Sequence, residues 1–143
     1  QELPDVELGW GHFGENFTVD GMDEQSINIG DEFTVGTARV VVTEPRMPCF
    51  KLSIRFGRTD IVKRFLQSQR SGFYVGVVEE GQVQAGDAFE LSSKHPDGLS
   101  VADVTSLYTT QRGNVALLQK AIAVTALPDS WTGFFEHQLE KLD

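Results

Sequence analysis

Apolar and polar positions alternate in short runs over the first two thirds of the chain and recur at helical spacing over the last third. Gly14-Glu15-Asn16-Phe17-Thr18-Val19 alternates and runs into Asp20-Gly21, which predicts a strand ending in a turn. Ile27-Asn28-Ile29, the Gly30-Asp31 turn and Glu32–Val35 repeat that style. Arg39–Glu44 (RVVVTE) is rich in β-branched residues and predicts another strand, stopped by Pro45. Ser71–Val78 predicts a further strand. Glu80-Gly81 turns, Val83 is expected to pack inward, and Ala85-Gly86-Asp87 turns again into Phe89-Glu90-Leu91. One helix interrupts the series: Thr59–Arg70 carries Ile61, Val62, Phe65 and Leu66 as an apolar stripe, with Thr59 or Asp60 as its cap. Short strands, Gly-Asp turns and a single helix together predict a closed or nearly closed β-barrel.

After Pro96-Asp97-Gly98 the period changes. Ser100 with Asp103 forms a capping-box pattern ahead of Val101, Val104, Leu107 and Tyr108. Asn114 can cap a second helix over Val115–Ala123, and Pro128-Asp129 can start a third with Trp131, Phe134, Phe135, Leu139 and Leu142 on it. The expected organisation is a β-barrel domain over residues 1–98 and a three-helix extension over residues 99–143, α+β overall. Few basic residues accompany these helices (Lys94, Arg112, Lys120, Lys141), so a DNA-reading helix-turn-helix is a poor fit. Residues 1–13 have no period, and Trp10, His12 and Phe13 sit among glycines as in a packed loop. No second histidine stands at ligand spacing from His12.

At 143 residues the chain suits a single core that needs no staples. One cysteine excludes an internal disulfide, an iron–sulfur cluster and a cysteine-rich zinc site built by this chain alone. No apolar run is long enough to span a bilayer and no signal-peptide pattern is visible, so no membrane role and a cytoplasmic setting are expected. A net charge of −9 argues against binding nucleic acid or anionic membranes. The cations are nevertheless concentrated. Eight of the 12 Lys+Arg lie between Arg39 and Arg70, opposed there only by Glu44 and Asp60, which leaves a local +6. Such an island suits a small anionic ligand, although Lys63 and Arg64 read simply as a solvated helix face.

The candidate chemistry centres on Arg46-Met47-Pro48-Cys49-Phe50-Lys51. A lone cysteine is more often a small buried hydrophobe than a reactive group. Here the thiol follows a proline that stiffens the backbone and stands between two cations that favour the thiolate, the form that attacks or ligates.

Gly14-Glu15-Asn16-Phe17-Thr18, Ile29-Gly30-Asp31, Arg46-x-Pro48-Cys49-x-Lys51, Ser71-Gly72-Phe73-Tyr74 and Glu79-Glu80-Gly81-x-Val83-x-x-Gly86-Asp87, in that order, resemble the MOSC domain, and more narrowly its bacterial YiiM-like branch. Ser100-Val101-x-x-Val104-x-x-Leu107-Tyr108 and Leu127-Pro128-x-Ser130-Trp131 are similar to the three-helix extension of that branch. The family carries more chain ahead of Gly-Glu-Asn, with a His-Gly-Gly stretch that this sequence lacks. The resemblance therefore implies a piece of a longer protein, or one shortened by proteolysis, and a barrel short of strands with open edges.

The resemblance implies a molybdenum-cofactor (molybdopterin) site in which Cys49 ligates the metal and acts as the catalytic residue. Arg46, Lys51 and Arg70 would meet the cofactor's phosphate, and Gly72, with Ser71, would bring backbone N–H groups to it. Asn16 would hydrogen-bond pterin or substrate, Tyr74 would donate to an oxo group or stack on a purine unless it is a core tyrosine, and Glu15 would orient a neighbour. The implied activity is reduction of small N-hydroxylated bases such as 6-N-hydroxylaminopurine, with electrons from a separate reductase or domain. The alternatives are a cofactor-binding or sulfur-carrying module without turnover, a metal-free thiol activity, and a structural domain with a buried cysteine. Whether the protein self-associates is left open.

Overall fold

The computed structural model describes residues 3–142. Four antiparallel strands form one sheet: β1 (Glu32–Val35), β2 (Ala38–Pro45), β3 (Phe73–Glu79) and β4 (Phe89–Ser93), in the order β3-β2-β1-β4. Five helices complete it: α1 (Phe50–Phe56), α2 (Ile61–Ser68), α3 (Val101–Tyr108), α4 (Val115–Ala123) and α5 (Asp129–Glu140). Among the described residues no helix is long and apolar enough to cross a membrane.

The α+β class holds. Among the described residues the strands do not close into the expected barrel: β3 and β4 are opposite edges of an open sheet and do not pair with each other. Two of the expected strands fail to form. Residues 14–19 alternate as a strand would, yet run as irregular chain. The Glu15 carboxylate within them folds back on the preceding turn, accepting the N–H of Gly11 (2.7 Å) and of Phe13 (3.0 Å), and also takes the hydroxyl of Thr18 (3.2 Å). Around Ile27–Ile29 only an isolated bridge forms, between Asn28 and Ser100.

Alternation does decide β2. Ala38, Val40 and Val42 are buried, while Arg39, Val41 and Thr43 between them are half-exposed. The buried face continues into a single core. Phe33, Val35, Val40 and Val42 of the sheet pack in one cluster with Leu99, Val104, Leu107, Leu118, Trp131 and Phe135 of the C-terminal segment. Each large side chain buried there contributes about 1.5–3 kcal/mol of transfer free energy. The cap signals of α3 and α4 are realised as expected. Ser100 accepts from the Asp103 amide while Asp103 accepts from that of Ser100, and Asn114 accepts from the Leu117 amide.

The β1–β2 turn is locked by a close approach. Thr37 donates its N–H to the Gln82 carbonyl (3.1 Å), and its hydroxyl accepts the Gln82 N–H (2.8 Å). A Cβ on Gly81 would fall inside the van der Waals shells of the Thr37 and Ala38 backbone, so only glycine fits. Val83, just beyond, is 37% exposed rather than turned inward as expected.

Candidate functional site: the Cys49 turn and the adjoining cleft

Pro45 ends β2, and the chain leaving it is tied at once to the start of β3 by the Arg46 N–H donating to the Gly72 carbonyl (3.0 Å). Met47 and Pro48 lead to Cys49, which stands in extended conformation (φ −123°, ψ 172°) at the N-cap of α1. Its carbonyl accepts the Leu52 N–H (3.0 Å), and its thiol is free and exposed. The buried-hydrophobe reading of this cysteine is therefore excluded.

Helix α1 was not legible as a helix. Of its residues only Leu52 is fully buried, and its apolar pair Phe50 and Ile54 faces solvent. Gly57 terminates it in the left-handed conformation. Of the two expected caps of α2, Thr59 and Asp60, it is Asp60 that takes the N-cap position, and its side chain makes no capping bond. Its carboxylate instead receives Arg58 (2.9 Å) and Arg64 (2.6 Å), and the Arg58 hydrogen bond, followed by that from Arg64, holds it far below the usual carboxylate range.

A cleft of about 1470 Å³ opens beside this turn. Its apolar wall comes from Val35, Ala38, Val40, Val75 and Phe89 of the sheet, and its polar side from Asn16, Glu24, Arg46, Arg70 and Ser71. Of the expected site residues, Asn16, Arg46, Arg70, Gly72 and Tyr74 all line it. Cys49 and Lys51 do not: both are exposed, on α1 and at its cap. Three residues of chain reach at most about 11 Å, which bounds the separation of Cys49 from Arg46 on the cleft wall.

Arg46 is held from two sides. Its guanidinium donates to the Phe13 carbonyl and lies over the Phe65 ring (5.8 Å). Among the described residues most of its five donors take no other partner. Tyr74 is 51% exposed, so it is no core tyrosine. Gly72 (φ +69°) has open space where a Cβ would go, but its N–H already donates to the Glu24 carboxylate (2.8 Å), so this amide is not presented to a phosphate. Glu24 also ties the cleft to α3 through its own carbonyl, which accepts the Ala102 N–H (2.8 Å). Sequence reasoning missed Glu24 because it sits in the aperiodic run Asp23-Glu24-Gln25-Ser26.

Glu15 orients backbone rather than a side chain of the site. Burial opposes its charge, but hydrogen bonds from its own amide, Gly11, Thr18 and Phe13 outweigh that and keep its carboxyl below the ordinary value. The turn it shapes is stapled to α1: Arg55 donates to the carbonyls of His12 (2.5 Å) and Gly11 (3.1 Å), and the rings of His12 and Phe13 pack on Phe56 at 4.7 and 5.1 Å.

The MOSC domain model matches residues 1–90. The chain belongs to the MOSC domain family. Among relatives, the uncharacterized protein YflK of Bacillus subtilis is 36% identical over 130 residues, which are 91% of this chain and 59% of that one. A protein named Reductase from Gibberella moniliformis is 31% identical over 119 residues, 82% of this chain but 21% of its own length. Among solved structures, YiiM from Geobacillus stearothermophilus superposes with a TM-score of 0.91 at 34% identity, over 96% of this chain and 71% of that one. These likenesses place the chain in the YiiM-like part of the MOSC family. It spans little more than half of YflK.

The donor set bears on what this MOSC chain could hold. Among the described residues no group of three or more His, Cys, Asp and Glu is placed to hold a metal ion. A single exposed cysteine sulfur fits a soft metal whose remaining ligands come with an organic cofactor, and the two guanidiniums on the cleft wall fit that cofactor's anionic end.

Proposed function

We propose that this chain forms the cofactor-binding part of a molybdenum-dependent reductase of N-hydroxylated bases, 6-N-hydroxylaminopurine among them, working in a reducing cytoplasm. The observation that carries the reading is an exposed, unbridged thiol placed three residues beyond an arginine on the wall of a large cleft, in a MOSC-family chain. When bound, the molybdenum cofactor supplies the two-electron redox centre. Cys49 offers the thiolate that a soft metal prefers. Arg46 and Arg70 hold the anionic group, Arg46 already oriented by Phe13 and Phe65. Asn16 offers donor and acceptor to a heterocycle, and the exposed face of Tyr74 a stacking surface for a purine. The N–OH bond is cleaved with two electrons and two protons, leaving N–H and water. The relative named Reductase, most of whose length lies outside the match, supports an electron source in another domain or a separate protein.

A second reading, a cofactor-binding or sulfur-carrying module without turnover, is favoured by one observation: Cys49 is not among the residues lining the cleft. The two readings separate in the natural full-length protein purified from a host that makes the cofactor. On the first, wild type retains molybdenum and reduces 6-N-hydroxylaminopurine with reduced methyl viologen, and Cys49→Ser loses both. Metal without turnover selects the module. A Cys49→Ser protein that keeps its metal and full activity overturns the ligand assignment.

A further inference from the structure

We infer that the outward face of α1 is the docking surface for an acidic electron-carrier protein, which delivers its electrons beside Cys49; this rests on the reductase reading above. Phe50 and Ile54, one helical turn apart, are 69% and 73% exposed. In the loop that Arg55 ties to this helix, Trp10 is 88% exposed. Other large apolar side chains are exposed elsewhere, Val77 (66%) and Leu91 (51%) on the sheet among them, so exposure alone does not single out this face; here three are gathered on one helix and the loop tied to it, beside two cations.

The charge around them selects the partner. Lys51 and Arg55 flank the apolar pair and are exposed. Among the described residues Arg55 donates to two neutral carbonyls and meets no carboxylate, so its charge is not cancelled there. Neighbouring cations of the basic stretch are already matched: Arg58 and Arg64 share Asp60, and Arg39 meets Glu32 and Glu79. Of the total −9, the stretch from Arg39 to Arg70 holds +6, so the rest of the chain carries −15. A second copy seated here about a two-fold axis would set Lys51 and Arg55 against themselves. An acidic surface with an apolar centre is the complement.

Position gives the docking its purpose. Cys49 is the N-cap residue of this helix, and Ile54 lies about 8 Å further along the axis. A carrier seated on Phe50 and Ile54 therefore sits against the exposed sulfur. Each N–OH reduced consumes two electrons from the carrier, a flavodoxin-type flavin hydroquinone, which is oxidised, while two protons come from solvent.

The test compares two donors for the molybdenum-loaded full-length protein: reduced flavodoxin and reduced methyl viologen. Ile54→Glu and Phe50→Ser are expected to cut the flavodoxin-driven rate about tenfold or more, leaving the viologen-driven rate unchanged. The flavodoxin-driven rate should also fall as ionic strength rises from about 0.05 to about 0.5 M. No change with flavodoxin, or equal loss with both donors, overturns the proposal. If wild type turns nothing over even with viologen, the reductase reading fails, and docking is read separately by titrating the isotope-labelled protein with oxidised flavodoxin. Amide shifts at residues 49–55 that salt abolishes support it; shifts elsewhere, or none, overturn it.

Discussion

The indole Nε1 of Trp131 donates to Oε2 of Glu44 across 2.6 Å, joining α5 to β2 two residues before Arg46. The helical segment thus braces the strand that delivers the Cys49 turn, and Trp131 adds ring contacts to Tyr108 (6.0 Å) and Phe135 (5.6 Å) in the same cluster. Trp131→Phe keeps most of the apolar bulk and removes the bond to a charged acceptor. Such bonds are worth about 1.5–3 kcal/mol. Since Glu44 is only half-buried and can turn to water, the lower end is expected. Urea denaturation should show a loss of about 1.5 kcal/mol with an unchanged m-value.

Asp31 is a larger stake. It is fully buried and accepts three donors: the N–H of Asn28 (2.9 Å), the N–H of His95 (2.8 Å) and the ammonium of Lys94 (2.8 Å). It thereby ties the turn before β1 to the chain leaving β4. Asp31→Leu strands two backbone donors and should cost about 3 kcal/mol or more. Lys94→Met should cost less, because the lysine side chain is 46% exposed and its partner keeps two amide donors. Chemical denaturation of both variants checks the order, and a Lys94→Met loss equal to that of Asp31→Leu would contradict it.

Local chemistry in this chain was legible and long-range assembly was not. The caps of α3 and α4 follow from Ser100, Asp103 and Asn114, because a cap is satisfied within four residues. β2 follows from its β-branched alternation. Residues 14–19 alternate as well, but a period fixes a face and not a partner strand, and here the Glu15 carboxylate captured the amides nearby. Helix α1 went unseen because its apolar i, i+4 pair, Phe50 and Ile54, points to water, so the usual sign of burial had no core behind it. In the candidate site, Arg46 and Gly72 were picked from the basic island and the family resemblance. That a backbone bond joins them, and that Glu24 takes the Gly72 amide, depends on contacts between segments 26 and 48 residues apart.

Two glycines should respond oppositely to alanine. At Gly81 the new methyl would meet the backbone of Thr37 and Ala38, which cannot move without breaking the turn. Overpacking of this kind costs about 1–3 kcal/mol, and because Glu80, Gly81 and Val83 border the cleft, ligand affinity should fall with stability. At Gly76, in β3, a methyl would rest at ordinary contact distance from Thr43 Cγ2 (3.5 Å) and Val41 Cγ1 (3.6 Å). Gly76→Ala should be neutral or stabilise by up to about 1 kcal/mol through the unfolded chain's lost freedom. Thermal denaturation of the pair gives the two signs directly.

The Glu15 turn should be acid-sensitive. Its carboxyl titrates below its ordinary 4.5 in the folded chain, so its contribution to stability is complete above that value and disappears as pH falls through the lower, folded value. Protonation weakens the acceptor for the Gly11 and Phe13 amides, and the two carbonyls that Arg55 grips, His12 and Gly11, belong to the same turn. Following the Gly11 and Phe13 amide shifts by NMR between pH 7 and acid should give a single titration with a midpoint below 4.5. In Glu15→Gln that titration is absent and the turn is loosened at every pH, since a neutral amide accepts less strongly than a carboxylate. A midpoint at or above 4.5 would mean that burial, not the donated amides, governs this carboxyl.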